Sequence, residues 1–167
     1  PLNAMDTCVC MGASISALHG FNKARGMQER SVAVIGDSTF MHSGMTGLVN
    51  IGYNKGNSTV IILDNRITGM TGHQDNPTTG RTLKGDEVPQ VNIEAVCRAA
   101  GIRRVQVVDP YDTVQVEAVL KEELASPEPS VIISRRPCVL LKSVPKKAPL
   151  VVDRDKCRSC KACFKIG

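Results

Sequence analysis

The chain has no tryptophan, two tyrosines and three phenylalanines in 167 residues. Single-stranded nucleic acids are held largely by stacking bases on aromatic rings, so no nucleic-acid partner is expected. No apolar run approaches the ~20 residues of a membrane-spanning helix. No cationic-then-apolar leader opens the chain. No membrane partner is therefore expected, and the expected location is cytoplasmic. The first residue is Pro1 rather than Met, which reads as an excised piece of a longer protein. A strong charge bias is also missing, since the net charge is only +5. Much of that excess comes from Arg135, Arg136, Lys142, Lys146, Lys147, Lys156, Lys161 and Lys165. These read as a solvated basic tail or as a docking face for an acidic partner. Seven cysteines, an odd number in a chain without a leader, do not make a disulfide scaffold; they point to a reducing compartment and to metal ligands. What remains, 42% apolar and 22% charged residues, is ordinary for a globular chain able to bury one sizeable core.

Short apolar runs carry the organisation. Ser31–Gly36 and Thr59–Leu63 are β-branched, bounded by turn residues, and read as buried parallel strands. Arg103–Val108 and Ser130–Ser134 read as two more strands. Helices are expected over Met11–Ala24, Thr39–Tyr53, Val91–Ala100 and from Asp112 or Thr113 to about Leu124. The alternation predicts an α/β, doubly wound, mostly parallel sheet over residues 1–136. Residues 137–152, rich in Pro and Lys, read as a linker. Residues 153–167 belong to a different module. Arg66 to Glu87 is long, polar and without apolar period, and a loop of that length at a strand end reads as functional.

Two positions carry the chemistry. Asp37, in Gly36-Asp37-Ser38, follows the first run, and Asn65, in Leu63-Asp64-Asn65, follows the second. If the strands are neighbours, Asp37 and Asn65 lie side by side at their carboxyl ends, where open α/β sheets bind ligands. A carboxylate and an amide oxygen are hard donors suited to Mg²⁺ that keeps positions for phosphates. Main-chain N–H groups after Ser38 open a helix and favour an anion. The pattern reads as a magnesium-diphosphate site.

Cys157, Cys160 and Cys163 form C-x-x-C-x-x-C. Thiolates so spaced wrap three corners of a [4Fe–4S] cluster, with a fourth cysteine further on. A zinc knuckle or a plain cysteine-rich tail is the competing reading.

These motifs together resemble the 2-oxoacid:ferredoxin oxidoreductases, in particular the thiamine-binding part of the indolepyruvate branch. The resemblance rests on Cys8-x-Cys10-Met11-Gly12-Ala13-Ser14, Gly36-Asp37-Ser38-Thr39-Phe40-x-His42-Ser43-Gly44, Leu63-Asp64-Asn65-Arg66, Met70-Thr71-Gly72-His73-Gln74 and the cysteine tail. The general thiamine motif has Gly where Ser38 stands and Asn where Asp64 stands. The resemblance implies thiamine diphosphate, Mg²⁺ and a 4Fe–4S cluster as cofactors. It implies Asp37, Asn65 and the backbone carbonyl of Ile67 as magnesium ligands, and Thr68, Gly69, Met70 and Thr71 curling around the diphosphate with Gly36, Ser38 and Thr39. It also implies Cys10, Met11, Gly12 and Ser14 at the thiazolium ring, with His42 and His73 near diphosphate or substrate. The activity implied is oxidative decarboxylation of a 2-oxoacid such as indolepyruvate, with coenzyme A taking the acyl group and electrons passing through clusters to ferredoxin. A beta subunit and a separate pyrimidine-binding domain are implied partners in an oligomer. No catalytic residue is expected in this stretch: the activating glutamate lies elsewhere, and Glu87 and Glu94 stand in the wrong context. A non-oxidative thiamine-dependent decarboxylase or synthase, and a non-catalytic electron-transfer module, remain alternatives.

Overall fold

The computed structural model describes residues 5–26, 30–146 and 148–165. Residues 1–4 and 27–29 of the expected domain, Lys147 of the expected linker, and Ile166 and Gly167 of the tail lie outside the described residues. The ordered elements are α1 (Ala13–Ala24), β1 (Val32–Gly36), α2 (Asp37–Thr39), a π-helical turn (Phe40–Gly44), α3 (Met45–Tyr53), β2 (Thr59–Asp64), α4 (Ile93–Ala99), β3 (Arg104–Val108), α5 (Thr113–Ala125), β4 (Ser130–Arg135) and a 3₁₀ turn (Ala162–Lys165).

The four strands form one parallel sheet in the order β1-β2-β4-β3. Period-2 alternation turns Ala33, Ile35, Val60, Ile62, Val131, Ile133 and Val105 to one face. There they meet Ile15 of α1, Leu48 and Ile51 of α3, and Ile93 and Cys97 of α4 in one core. Arg104, one residue out of phase, turns to the opposite face and bonds the buried Glu123 of α5 at 2.7 Å. Helices thus lie on both faces, as the doubly wound expectation requires.

Boundaries differ from the sequence reading for identifiable reasons. α4 begins at Ile93 because Asn92 caps it, its side chain accepting the Ala95 N–H at 2.8 Å. Asp112, not Thr113, caps α5, by accepting from Gln115 N–H. The crossover helix starts at Asp37 rather than Thr39, directly after extended Gly36, and passes through the π-helical turn. Gly44 lets that turn lie close on the sheet: a Cβ there would sit 2.8 Å from Ile35 Cδ1.

Candidate functional site

β1 and β2 pair directly, with Gly36 opposite Leu63, so the residues after them share one edge of the sheet. Asp37 is buried, 3% exposed. Its Oδ1 accepts the Ser38 N–H at 2.6 Å and its Oδ2 accepts the Arg66 N–H at 3.0 Å. Burial pushes its carboxyl above the usual range; the two N–H donors and the Arg66 charge pull it down, while nearby Asp64 pushes it further up. A buried carboxylate whose hydrogen bonds, among the described residues, come only from main-chain N–H groups is suited to meet a cation.

Asn65 follows β2 and makes an Asx turn: its Oδ1 accepts the Ile67 N–H at 3.1 Å. Its carbonyl accepts the Cys138 N–H at 2.9 Å. Between them Arg66 is left-handed, φ +61°. Ile67 is buried. The chain then closes a small hairpin through the Thr68–Gln74 bridge, with His73 N–H on the Thr68 carbonyl at 3.1 Å. Gly69 returns over Asn65, a Cβ on it lying 3.9 Å from Asn65 Nδ2. Met70 and Thr71 form the exposed tip, and His73 is exposed beside them. Asp37, Asn65, Ile67 and Gly69 are therefore brought together, with Ser38 and Thr39 at the start of the neighbouring helix. The donor set, one buried carboxylate with an amide oxygen and a turn carbonyl, fits Mg²⁺.

His42 lies in the π-helical turn, exposed, its Nδ1 2.7 Å from Ser43 Oγ. Gly12, φ +92°, abuts Ser43, and Ser14 Oγ donates to the Val34 carbonyl at 3.1 Å. Cys10 and Met11 are exposed in the turn that leads into α1. The hydrogen bond of Ser14 thus runs to β1, and that of His42 stays within the π-helical turn. Cys157, Cys160 and Cys163 are free and exposed. Among the described residues no three His, Cys, Asp or Glu side chains gather as a metal set, so the structure does not bring these thiols together. Thiols without their metal have little to assemble them.

The sequence reading missed an ion-pair lattice beneath the site. Asp64, with its side chain fully buried, accepts Arg135 Nε at 2.6 Å, and its Oδ1 lies 3.3 Å from Arg66 Nε, close but not aligned as a hydrogen bond. The Arg135 fork grips Glu94 at 2.8 and 2.7 Å, which holds the Glu94 carboxyl below the usual range and raises the arginine. Arg66, Gln90, Asn92, Glu94 and Arg135 line a cleft of about 150 Å³. Arg135 is thus no member of a solvated basic tail, and Arg66 is not free in solvent. Only the pairing of β2 with β4, which sets Asp64 opposite Arg135, could have revealed this.

The sequence matches the family described as thiamine pyrophosphate enzyme, C-terminal TPP binding domain, over residues 1–134. The chain belongs to that family. The chain is 40% identical to indolepyruvate oxidoreductase subunit IorA of Pyrococcus horikoshii, over 98% of this chain and 28% of that protein. The IorA subunit of Methanothermobacter thermautotrophicus is 37% identical over 99% of this chain and 26% of its own length. The chain thus spans little more than a quarter of these relatives. The fold resembles 2-oxoglutarate:ferredoxin oxidoreductase of Magnetococcus marinus (TM-score 0.67, 19% identity, 77% of this chain and 46% of that one). It also resembles the thiamine-diphosphate-dependent 4-hydroxybenzoylformate decarboxylase of Rhodococcus jostii (TM-score 0.54, 22% identity, 76% of this chain and 23% of that one). Among the described residues no helix is long and apolar enough to cross a membrane.

Proposed function

We propose that this domain holds the magnesium-diphosphate end of thiamine diphosphate within an oxidoreductase that oxidatively decarboxylates a 2-oxoacid, indolepyruvate or another aryl pyruvate, to acyl-coenzyme A. The buried Asp37 carboxylate, bonded across two adjacent strand tips to the turn that carries Asn65, is the observation that carries the reading. Asp37, the Asn65 side-chain oxygen and the Ile67 carbonyl hold Mg²⁺. Gly36, Ser38 and Thr39 offer the start of a helix to the diphosphate, with Thr68, Gly69, Met70 and Thr71 closing over it from the hairpin. Cys10, Met11, Gly12, Ser14 and His42 lie toward the ring. When bound, the coenzyme supplies a nucleophilic carbon and an electron sink for loss of carbon dioxide. The chain's own part is to place the cation and phosphates.

Electrons leave through 4Fe–4S clusters to ferredoxin, and Cys157, Cys160 and Cys163 supply ligands to one of them. We divide the chain into the thiamine-binding domain at 1–136, a linker at 137–152 and the start of a ferredoxin-like module at 153–167. A beta subunit and a pyrimidine-binding domain complete the enzyme, which is cytoplasmic. The 37–40% identity to IorA subunits supports the substrate assignment.

The test uses the full-length protein with its partner subunit. Indolepyruvate and coenzyme A should together reduce a viologen dye, and Asp37→Ala should abolish both this and magnesium-dependent thiamine diphosphate binding. Aldehyde release without dye reduction would instead indicate a non-oxidative decarboxylase. Binding unaffected by Asp37→Ala would refute the site.

A further inference from the structure

Arg66 stands between two residues that the site needs, yet it is left-handed, φ +61°. An L side chain enters that region at a steric cost, and neither glycine nor asparagine is used here. Its guanidinium meets groups from three segments and hydrogen-bonds two of them. Nε lies 3.3 Å from Asp64 Oδ1, and Nη1 donates to the Thr78 carbonyl at 3.1 Å and to Gln90 Oε1 at 2.9 Å. Each anchor is itself fixed. Arg135 holds Asp64 and is in turn gripped by Glu94. Thr78 is fully buried, and its N–H and hydroxyl both bond Asn76 Oδ1, at 2.8 and 2.7 Å. Gln90 Nε2 reaches back to the Thr79 carbonyl at 3.3 Å. While the side chain is held on this side, the main-chain N–H of the same residue meets Asp37 Oδ2.

We propose that Arg66 is the positioning residue of the cation site: its clamped guanidinium keeps the turn 65–67 in the left-handed shape that sets the donors of Asn65 and Ile67 beside Asp37. The proposal rests on the reading of Asp37, Asn65 and Ile67 as magnesium donors. Arg66 acts through the turn and is not a ligand.

In the full-length protein, Mg²⁺ is titrated at fixed thiamine diphosphate and cofactor binding is followed by calorimetry. Arg66→Ala should raise the Mg²⁺ concentration for half-saturation about tenfold, the scale of losing charge-assisted hydrogen bonds. Excess Mg²⁺ should restore full cofactor binding, which a general folding defect would not allow. Gln90→Ala removes one anchor from an exposed position and should move the requirement in the same direction by about two- to threefold; it serves where Arg66→Ala fails to fold. The assignment is overturned if the Mg²⁺ requirement is unchanged in both Arg66→Ala and Gln90→Ala. These outcomes are read against Asp37→Ala. If that variant retains metal-dependent binding, the magnesium reading itself fails, and it does so independently of Arg66.

Discussion

Asp37 Oδ2 accepts the main-chain N–H of Arg66 at 3.0 Å, a bond that ties the tip of β1 to the turn after β2. The bond places a carboxylate where burial alone makes its charge unfavourable. Removing a ligand outright should exceed the 10–100-fold penalty typical of disturbing the groups behind one. Asp37→Asn should therefore weaken Mg²⁺ binding by about 100-fold or more, measured by calorimetry in the presence of thiamine diphosphate.

The raised Asp37 pKa gives a pH signature with a definite sign. A carboxyl whose folded-state pKa lies above its ordinary value of 3.8 contributes stability that is present below that value and lost as pH rises through the folded value. In metal-free protein, the melting temperature of Asp37→Asn relative to the unsubstituted protein should therefore climb across that window as pH increases. Mg²⁺ affinity should show the converse. It should start to fall, on acidification, at a pH above the ordinary carboxylate range, because the proton competes with the metal. A flat difference in melting temperature across the window would contradict both expectations.

Arg135 hydrogen-bonds both Asp64 and Glu94. Its removal leaves the fully buried Asp64 side chain with only the misaligned contact to Arg66. Breaking buried pairs costs about 3–5 kcal/mol, and the quarter exposure of Arg135 and Glu94 lowers this to about 3 kcal/mol. Arg135→Met should lower unfolding free energy by that amount in a urea titration. The double variant Arg135→Met/Asp64→Asn should recover part of it, since the orphaned charge is gone.

How far the sequence spoke depends on how local each feature is. The runs at Val32–Gly36 and Thr59–Asp64, each followed by its polar residue, announce two strands because that information lies within six residues, whereas the nearness of Asp37 to the Asn65 turn rests on β1 pairing with β2. The lattice of Asp64, Arg66, Glu94 and Arg135 was hidden, because it depends on β4 inserting between β2 and β3. Glu94 reads from the sequence only as standing in the wrong context for the activating glutamate; its engagement with Arg135 needs that same strand order. The π-helical turn was hidden for another reason: apolar residues keep a helical spacing through it, and only the tight seat of Gly44 on Ile35 marks the change. The long polar segment after Asn65 reads from the sequence as one functional loop without internal structure. Its hairpin at Thr68–Gln74 and the Asn76–Thr78 knot are built from short polar side chains that have no periodicity to read.

Cysteine reactivity separates the buried thiol from the exposed ones. Burial pushes Cys97 up to about 12, so it carries almost no thiolate near neutral pH. Cys8, Cys10, Cys157, Cys160 and Cys163 are exposed. Iodoacetamide under native, metal-free conditions should label those five while leaving Cys97 unmodified by peptide mass spectrometry, and denaturant should expose it. If the tail cysteines hold a cluster in the full-length protein, reconstitution with iron and sulfide should protect Cys157, Cys160 and Cys163 but not Cys8.

Gly12 meets two constraints that a substitution can separate. Its φ of +92° disfavours any side chain, and a Cβ there would overlap Ser43 Oγ and lie 2.8 Å from Ser43 Cβ. Gly12→Ala should cost about 2–3 kcal/mol, roughly 1 kcal/mol from the backbone and the rest from the overlap. Ser43→Gly removes both overlapping atoms but not the backbone term. In a double-mutant cycle the pair should therefore show a favourable coupling of about 1–2 kcal/mol, read from denaturant midpoints. Additive effects would mean that the loop carrying Cys10 and Met11 can move off the π-helical turn without loss. In that case the turn would not fix the position of those two residues.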